Sequence, residues 1–201
     1  MKDVLFISPH TDDVELSCGG TIARFAEIGI SVRVLCLADG KNLYLDIPLF
    51  EEFRNSMKVL DVKWYQLQEF PIRGFSEYRQ KILDCFIFIR DSLSPGAVFI
   101  PSRYDTHQDH KTVYQEAIRA FKYCNVYEYE QPWNHSIFEP QFFVSLQRNH
   151  VTKKINSLQC YASQASRPYM QKNHILSQLT YRSFFAKTSW AEVYQIRRII
   201  I

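Results

Sequence analysis

Apolar and polar positions along this chain follow two alternating patterns. Short apolar runs have the length and β-branched or aromatic content of strands: "VLFIS" (4–8), "VRVLCLA" (32–38), "VKWYQLQ" (62–68), "AVFIPS" (97–102) and "VYEYE" (126–130). Between them, apolar residues recur at helical spacing. These segments run from about Gly19 to Ile28 with a stop at Gly29, over "LFEEFRNSMKVL" (49–60), over "SEYRQKILDCFIFIRDSL" (76–93) and over "HKTVYQEAIRAF" (110–121). Ser76 is expected to cap the third of these, and Ser94-Pro95-Gly96 to end it. Beyond residue 131 the regularity weakens, with helices expected near 151–163 and 169–180 and strands at "QFFVSL" (141–146) and "EVYQIRRII" (192–200). Strand and helix in alternation predict an α/β fold, Rossmann-like, with a mostly parallel central sheet, helices on both faces and right-handed crossovers. No repeat, low-complexity tract or linker divides residues 1–201, so a single domain is expected.

Two polar clusters interrupt this pattern, and both follow a strand. "ISPHTDDVELSCGG" (7–20) sets His10, Asp12, Asp13 and Glu15 just past the first strand, and "RYDTHQDH" (103–110) sets His107, Asp109 and His110 just past the fourth. Ligands of open α/β sheets bind beyond the carboxyl ends of the strands, so the two clusters are expected on one rim. Together they offer an N/O donor set without cysteine, which suits zinc and also admits manganese, iron or cobalt. A catalytic zinc takes three protein ligands and leaves a place for a water whose pKa falls to about 7. The six candidates His10, Asp12, Asp13, His107, Asp109 and His110 exceed that need, leaving groups for acid, base and orienting roles.

Composition removes other classes. The chain is 46% apolar and 22% charged, as compact proteins are, and its net charge of +3 comes from scattered basic residues, unlike a nucleic-acid surface. The longest apolar stretch, "ILDCFIFI", is too short to span a membrane and carries Asp84. Five widely spaced cysteines without any CxxC read as buried thiols in a reducing compartment, so the cytoplasm is expected. The first strand-to-helix turn carries His and Asp where a dinucleotide fold needs close-approach glycines, which argues against a dehydrogenase.

The chain resembles the PIG-L/LmbE family of zinc-dependent amide hydrolases. "PHTDDVELSCGG" matches its P-H-x-D-D-x-E-L-x-x-G-G signature and "HQDH" its H-x-D-H element, about a hundred residues later. Weaker echoes are "EEFRNSMKVLDV", "YEYEQPWN", "YASQ" and "AEVYQIRR". The resemblance implies His10, Asp13 and His110 as metal ligands and Asp12 as the general base. It implies His107 as an imidazolium that stabilises the oxyanion and protonates the leaving amine, and Asp109 as the group that orients a histidine, His107 first. It also implies zinc, removal of an N-acetyl or other N-acyl group from a small amino-sugar-containing molecule, and a possible homo-oligomer. A non-catalytic metal- or sugar-binding relative and a metal-dependent esterase or phosphoesterase are the alternatives. Relatives often carry arginines ahead of the acidic pair that Glu51-Glu52 resembles, where this chain has Pro48, Leu49 and Phe50.

Several residues stay open at this level. Glu15 is balanced between accepting from His10 and capping the helix, and Gly19-Gly20 are assigned to close packing rather than phosphate binding. Arg103 and Asp105 either contact substrate or form an ion pair that fixes their loop, the loop role being favoured. Trp133 is balanced between stacking on a sugar ring and packing under its loop, and Gln164, Arg167 and Arg182 have no assigned role. His135, His150 and His174 are expected on the surface.

Overall fold

In a computed structural model, residues 2–38, 49–135 and 137–201 are described. Pro48 lies outside them. Seven strands form one sheet: β1 (Asp3–Ser8), β2 (Ser31–Cys36), β3 (Trp64–Leu67), β4 (Ala97–Pro101), β5 (Asn125–Tyr129), β6 (Phe142–Leu146) and β7 (Trp190–Arg198). Their order is β3-β2-β1-β4-β5-β7-β6. The first five are mutually parallel, and β7 runs antiparallel between β5 and β6. Six helices accompany them: α1 (Asp13–Glu27), α2 (Leu49–Val59), α3 (Arg79–Leu93), α4 (Gln108–Ala120), α5 (Arg148–Gln159) and α6 (Lys172–Ser183). Among the described residues no helix is long and apolar enough to cross a membrane.

The period-two alternation of strands explains why "VLFI" is apolar throughout. Val4 and Phe6 join the core beneath α1, α2, α5 and α6, whereas Leu5 and Ile7 join the core beneath α3 and α4. A strand covered on both sides has no position for a polar residue until it leaves the sheet. That point comes at Ser8, where the chemistry begins.

β1 pairs with β2 on one side and β4 on the other, in register Val4↔Ala97, Leu5↔Val98 and Phe6↔Phe99. The strand order reverses here, which opens a crevice at the carboxyl ends of β1 and β4. The two polar clusters therefore meet across neighbouring strands.

Several boundaries differ from expectation. α1 begins at Asp13, not near Gly19. Acidic residues in a first turn face the positive end of the helix, so the Asp-Asp pair starts the helix and the glycines fall inside it. Those glycines allow close packing: a Cβ on Gly20 would lie 2.4 Å from Leu146 Cδ1, and one on Gly19 would lie 3.0 Å from Lys154 Cγ. α3 begins at Arg79, after a 3-10 turn over Phe75–Tyr78, so Ser76 does not cap it. α4 begins at Gln108 with His107 as its cap, two residues before the expected start.

Candidate active site

The loop from Ser8 to Asp13 is short and tied down. Ser8 Oγ donates to the His10 carbonyl at 2.5 Å and accepts from Val14 N at 3.3 Å. Tyr129 Oη donates to the Ile7 carbonyl at 2.9 Å, and Tyr161 Oη donates to the Thr11 carbonyl. Asp12 is the N-cap of α1, yet its side chain makes no capping bond. Its carboxylate is thus not consumed by the helix and lines the cleft above.

His10, Asp13 and His110 converge on one point. Asp13 Oδ2 is 3.2 Å from His10 Nδ1 and 3.2 Å from His110 Nε2, and those two nitrogens are 3.4 Å apart. The edge of a tetrahedron around a zinc ion with bonds of 2.0–2.1 Å is about 3.3 Å. Three donor atoms at mutual distances of 3.2–3.4 Å therefore fit three corners of such a site. His10, His107 and His110 also bring ring nitrogens within 4.8 Å of one another, a looser grouping.

Each imidazole is fixed by a carboxylate behind it. His10 Nε2 meets Asp109 Oδ2 at 2.9 Å, and His110 Nδ1 meets Asp105 Oδ2 at 2.7 Å. A ring nitrogen that donates to a carboxylate leaves the opposite nitrogen as a lone-pair donor. Asp109 thus orients His10, not His107 as expected; it reaches His107 only through its backbone N–H. Asp109 is itself held by Arg73 N at 2.7 Å and Phe75 N at 3.3 Å. Gln131 Nε2 donates to Asp13 Oδ1 at 2.7 Å, leaving Oδ2 to face the histidines. Asp105 and Gln131 are the supports that sequence reasoning missed. Asp105 does not pair with Arg103, whose guanidinium meets Glu128 Oε1 at 2.9 Å.

Charge in this cluster is unbalanced. Asp12, Asp13, Asp105 and Asp109 surround two imidazoles. Burial works against a proton on His10, but Asp13 and Asp109 outweigh it and raise its pKa to about 9. Burial likewise opposes His110, and Asp13 with Asp105 raises it to about 10. Such a nest of carboxylates calls for positive charge, as protons or as a cation. Asp12, desolvated and beside Asp13, is pushed up to about 6.

His107 behaves differently from expectation. Its Nδ1 accepts the backbone N–H of Asp109 at 3.2 Å, as the cap of α4, so in the neutral ring the proton sits on Nε2. Burial, and then the charges of His110 and His10, push its pKa down. At neutral pH it rests as a neutral Nε2–H donor, not as an imidazolium. Glu15 neither contacts His10 nor caps α1. Its Oε1 accepts from Ser56 Oγ at 2.7 Å and lies 2.5 Å from Tyr161 Oη, and burial raises its pKa to about 8.

Above the cluster lies a cleft of about 370 Å³. Asp12, Asp13, His107, Trp133, Gln164 and Arg167 are among its walls. Trp133 stacks on Tyr169 with ring centroids 4.5 Å apart and planes 13° from parallel. Arg182 pairs with Glu130 outside the cleft. Of the histidines outside the motifs, His150 is buried rather than superficial, bridging Gln147 N and Glu27.

Comparison with known proteins agrees with this geometry. The PIG-L family model, described as GlcNAc-PI de-N-acetylase, matches residues 5–121. The chain is 32% identical over 171 residues to the uncharacterized deacetylase YaiS of Escherichia coli (strain K12), covering 81% of this chain and 91% of that protein. It is 31% identical over 123 residues to the diacetylchitobiose deacetylase of Thermococcus kodakarensis, covering 55% of this chain and 46% of that one. Among solved structures, the conserved protein TT1542 from Thermus thermophilus superposes with a TM-score of 0.85 at 23% identity, covering 100% of this chain and 97% of that one. The fold also carries other chemistry. GalB, a 4-carboxy-2-hydroxymuconate hydratase, superposes with a TM-score of 0.78 at 19% identity, covering 100% of this chain and 98% of that one. Activity must therefore be argued from the site. The family model over residues 5–121 and the deacetylase relative that spans most of the chain lead to one assignment: the chain belongs to the PIG-L family, whose described activity is de-N-acetylation.

Proposed function

We propose that this protein is a zinc-dependent N-deacetylase that removes an N-acetyl or related N-acyl group from a small amino-sugar-containing molecule. The observation that carries the reading is the triangle of His10 Nδ1, Asp13 Oδ2 and His110 Nε2, with sides of 3.2–3.4 Å, beside an uncommitted carboxylate on Asp12. We assign the ligand role to these three residues over the looser grouping that includes His107, because their spacing matches tetrahedral zinc. A cation there supplies Lewis acidity toward the amide carbonyl and toward a water, a role that other divalent transition metals can share.

The protein's own groups account for the proton movements. Asp12 removes a proton from the attacking water, whose oxygen forms a bond to the amide carbon. The neutral Nε2–H of His107 donates to the carbonyl oxygen as negative charge develops on it. The proton held by Asp12 then passes to the nitrogen as the carbon–nitrogen bond breaks, releasing the amine and acetic acid, whose hydroxyl proton passes on to leave acetate and an ammonium. A carboxylate that no capping bond consumes is free for both transfers. Asp109 and Asp105 hold the two histidines in the tautomers that leave lone pairs toward Asp13. Trp133 offers an aromatic face to a sugar ring at the cleft wall.

The sugar substrate class is supported by the diacetylchitobiose deacetylase relative and by the cleft volume, which suits one or two sugar units. A single domain over residues 1–201 is supported by the one sheet that spans Asp3 to Arg198. Five unpaired cysteines support a reducing, cytoplasmic setting. The exposed apolar side chains Tyr181, Phe184 and Phe185 support a homo-oligomer, which sedimentation would test.

The function is tested with metal-stripped protein, zinc titration and acetate release from N-acetylglucosamine derivatives. Activity that rises with one zinc per chain is expected. Full activity in the stripped protein, or two ions per chain with phosphoester cleavage, would overturn the reading.

A further inference from the structure

Arg73 is built into the site in an unusual way. Its φ of 67° lies in the left-handed region, which few residues other than glycine, asparagine or aspartate occupy without cost, although Gly74 stands next to it. The HQDH motif itself fastens this backbone. Arg73 N donates to Asp109 Oδ2 at 2.7 Å, and the Arg73 carbonyl accepts from Gln108 Nε2. Asp109 thus holds His10 with the same oxygen that positions Arg73. A residue kept in a sparsely populated conformation by groups from the reaction centre is a candidate for function.

The side chain is exposed and lines the cleft. Other guanidiniums are engaged by carboxylates: Arg79 and Arg119 share Glu116, Arg103 meets Glu128 and Arg182 meets Glu130. Among the described residues, Arg73 and Arg167 of the same cleft have no such ion pair. Arg167 comes from a separate loop, on the carboxyl side of Tyr161. Two guanidiniums without an ion-pair partner thus line the same 370 Å³ cleft, and guanidinium is the group that planar carboxylates and tetrahedral phosphates pair with best.

Resting on the deacetylase reading, we infer that the substrate is an anionic N-acylated sugar, carrying a phosphate or carboxylate, and that Arg73 with Arg167 grips that group. Arg73 is then a specificity residue whose place is set by the motif that sets His10.

The test compares N-acetylglucosamine with N-acetylglucosamine 1-phosphate, N-acetylglucosamine 6-phosphate and N-acetylmuramic acid, so that phosphate and carboxylate sources are separated. The zinc-loaded protein should prefer at least one anionic sugar. Arg73→Asn removes the charge and tolerates the left-handed backbone. It should lower the ratio of anionic to neutral kcat/KM by about 10- to 100-fold, the size of a lost charge-assisted contact. Arg167→Gln, on a different loop, should lower the same ratio if Arg73→Asn fails to fold. Calorimetry on zinc-loaded Asp12→Asn protein reads binding without turnover and should show tighter binding of the preferred anionic sugar than of the neutral one. Equal kcat/KM for all four sugars, or ratios unmoved by both substitutions, would overturn the inference. Selective anion binding without acetate release from any sugar would leave it standing and overturn the hydrolase reading instead.

Discussion

Helix α1 touches two buried charge clusters, and they are built oppositely. Halfway along it, Lys154 Nζ meets Glu192 Oε1 at 2.6 Å, and both side chains are only 3% exposed. The Glu192 carboxylate also accepts Gly20 N at 2.9 Å and Thr21 N at 2.6 Å, while Lys154 donates to the Leu16 carbonyl as well. One cation faces one anion, and every strong group has a partner. At the start of the helix, by contrast, four carboxylates surround two imidazoles whose facing nitrogens lie 3.4 Å apart. The first cluster closes on itself and fastens α1 to α5 and β7. The second closes only when something positive enters it. The difference separates a structural ion pair from a site: burial and charge are common to both, and what differs is whether the chain supplies the balance.

The largest expected effect is on turnover at the open cluster. Asp12→Asn should bind zinc with near-normal affinity but lose about 10²- to 10⁴-fold in kcat, the usual weight of a general base. Loss of zinc in that variant would move Asp12 into the ligand set, and full activity would remove it from the mechanism. The closed cluster should respond in stability instead. Lys154→Ala strands a buried carboxylate and should destabilise the fold by about 3–5 kcal/mol in urea titration, with zinc affinity of the folded protein little changed. A matching loss of zinc affinity would mean that the two clusters are coupled.

Smaller effects should follow at the carboxylates behind the histidines. Asp105→Asn and Asp109→Asn should each weaken zinc about 10- to 100-fold in competition with a chelator, because each leaves one imidazole free to rotate. Only the second should also disturb the Arg73 backbone. If Asp109→Asn lowered kcat while zinc affinity held, its place behind His10 would be incidental.

The remaining comparison is between the metal-free and metal-loaded site as pH rises. His10 and His110 have folded-state pKa values raised to about 9 and about 10 from 6.5. Their protonated forms stabilise the metal-free protein fully below pH 6.5, and that stability is lost as pH rises through 9 and 10. The Tm of stripped protein should therefore fall across this window, while zinc-loaded protein, with imidazoles already paired to the ion, should fall less. A stripped protein whose Tm rises there would contradict the charge imbalance.

How much of the molecule is legible in its sequence follows from which interactions are local. "VLFIS" and "AVFIPS" read as strands because a strand buried on both faces is apolar at every position, a condition written into consecutive residues. The start of α1 is not legible in this way, since Asp12 and Asp13 look equally like a turn and a helix start. The helix begins there because Ser8 and Asp13 accept its first free N–H groups and those of the loop. The motifs single out His10, Asp13 and His110, and the structure brings their donor atoms together. Sequence proximity assigns Asp109 to its chain neighbour His107, yet its carboxylate crosses to His10, 99 residues away. Residue type alone makes His107 an acid, whereas its role as the cap of α4 fixes it as a neutral donor.

The sequence by itself determined the alternation of buried strands and amphipathic helices and the identity of the donor atoms, because both depend on residue type and short-range period. Only the tertiary structure decided which imidazole each carboxylate orients and where Arg73 stands. It also decided that three donors lie 3.2–3.4 Å apart. Those distances arise from β1 and β4 lying side by side, a pairing between distant segments of the chain that no local pattern encodes.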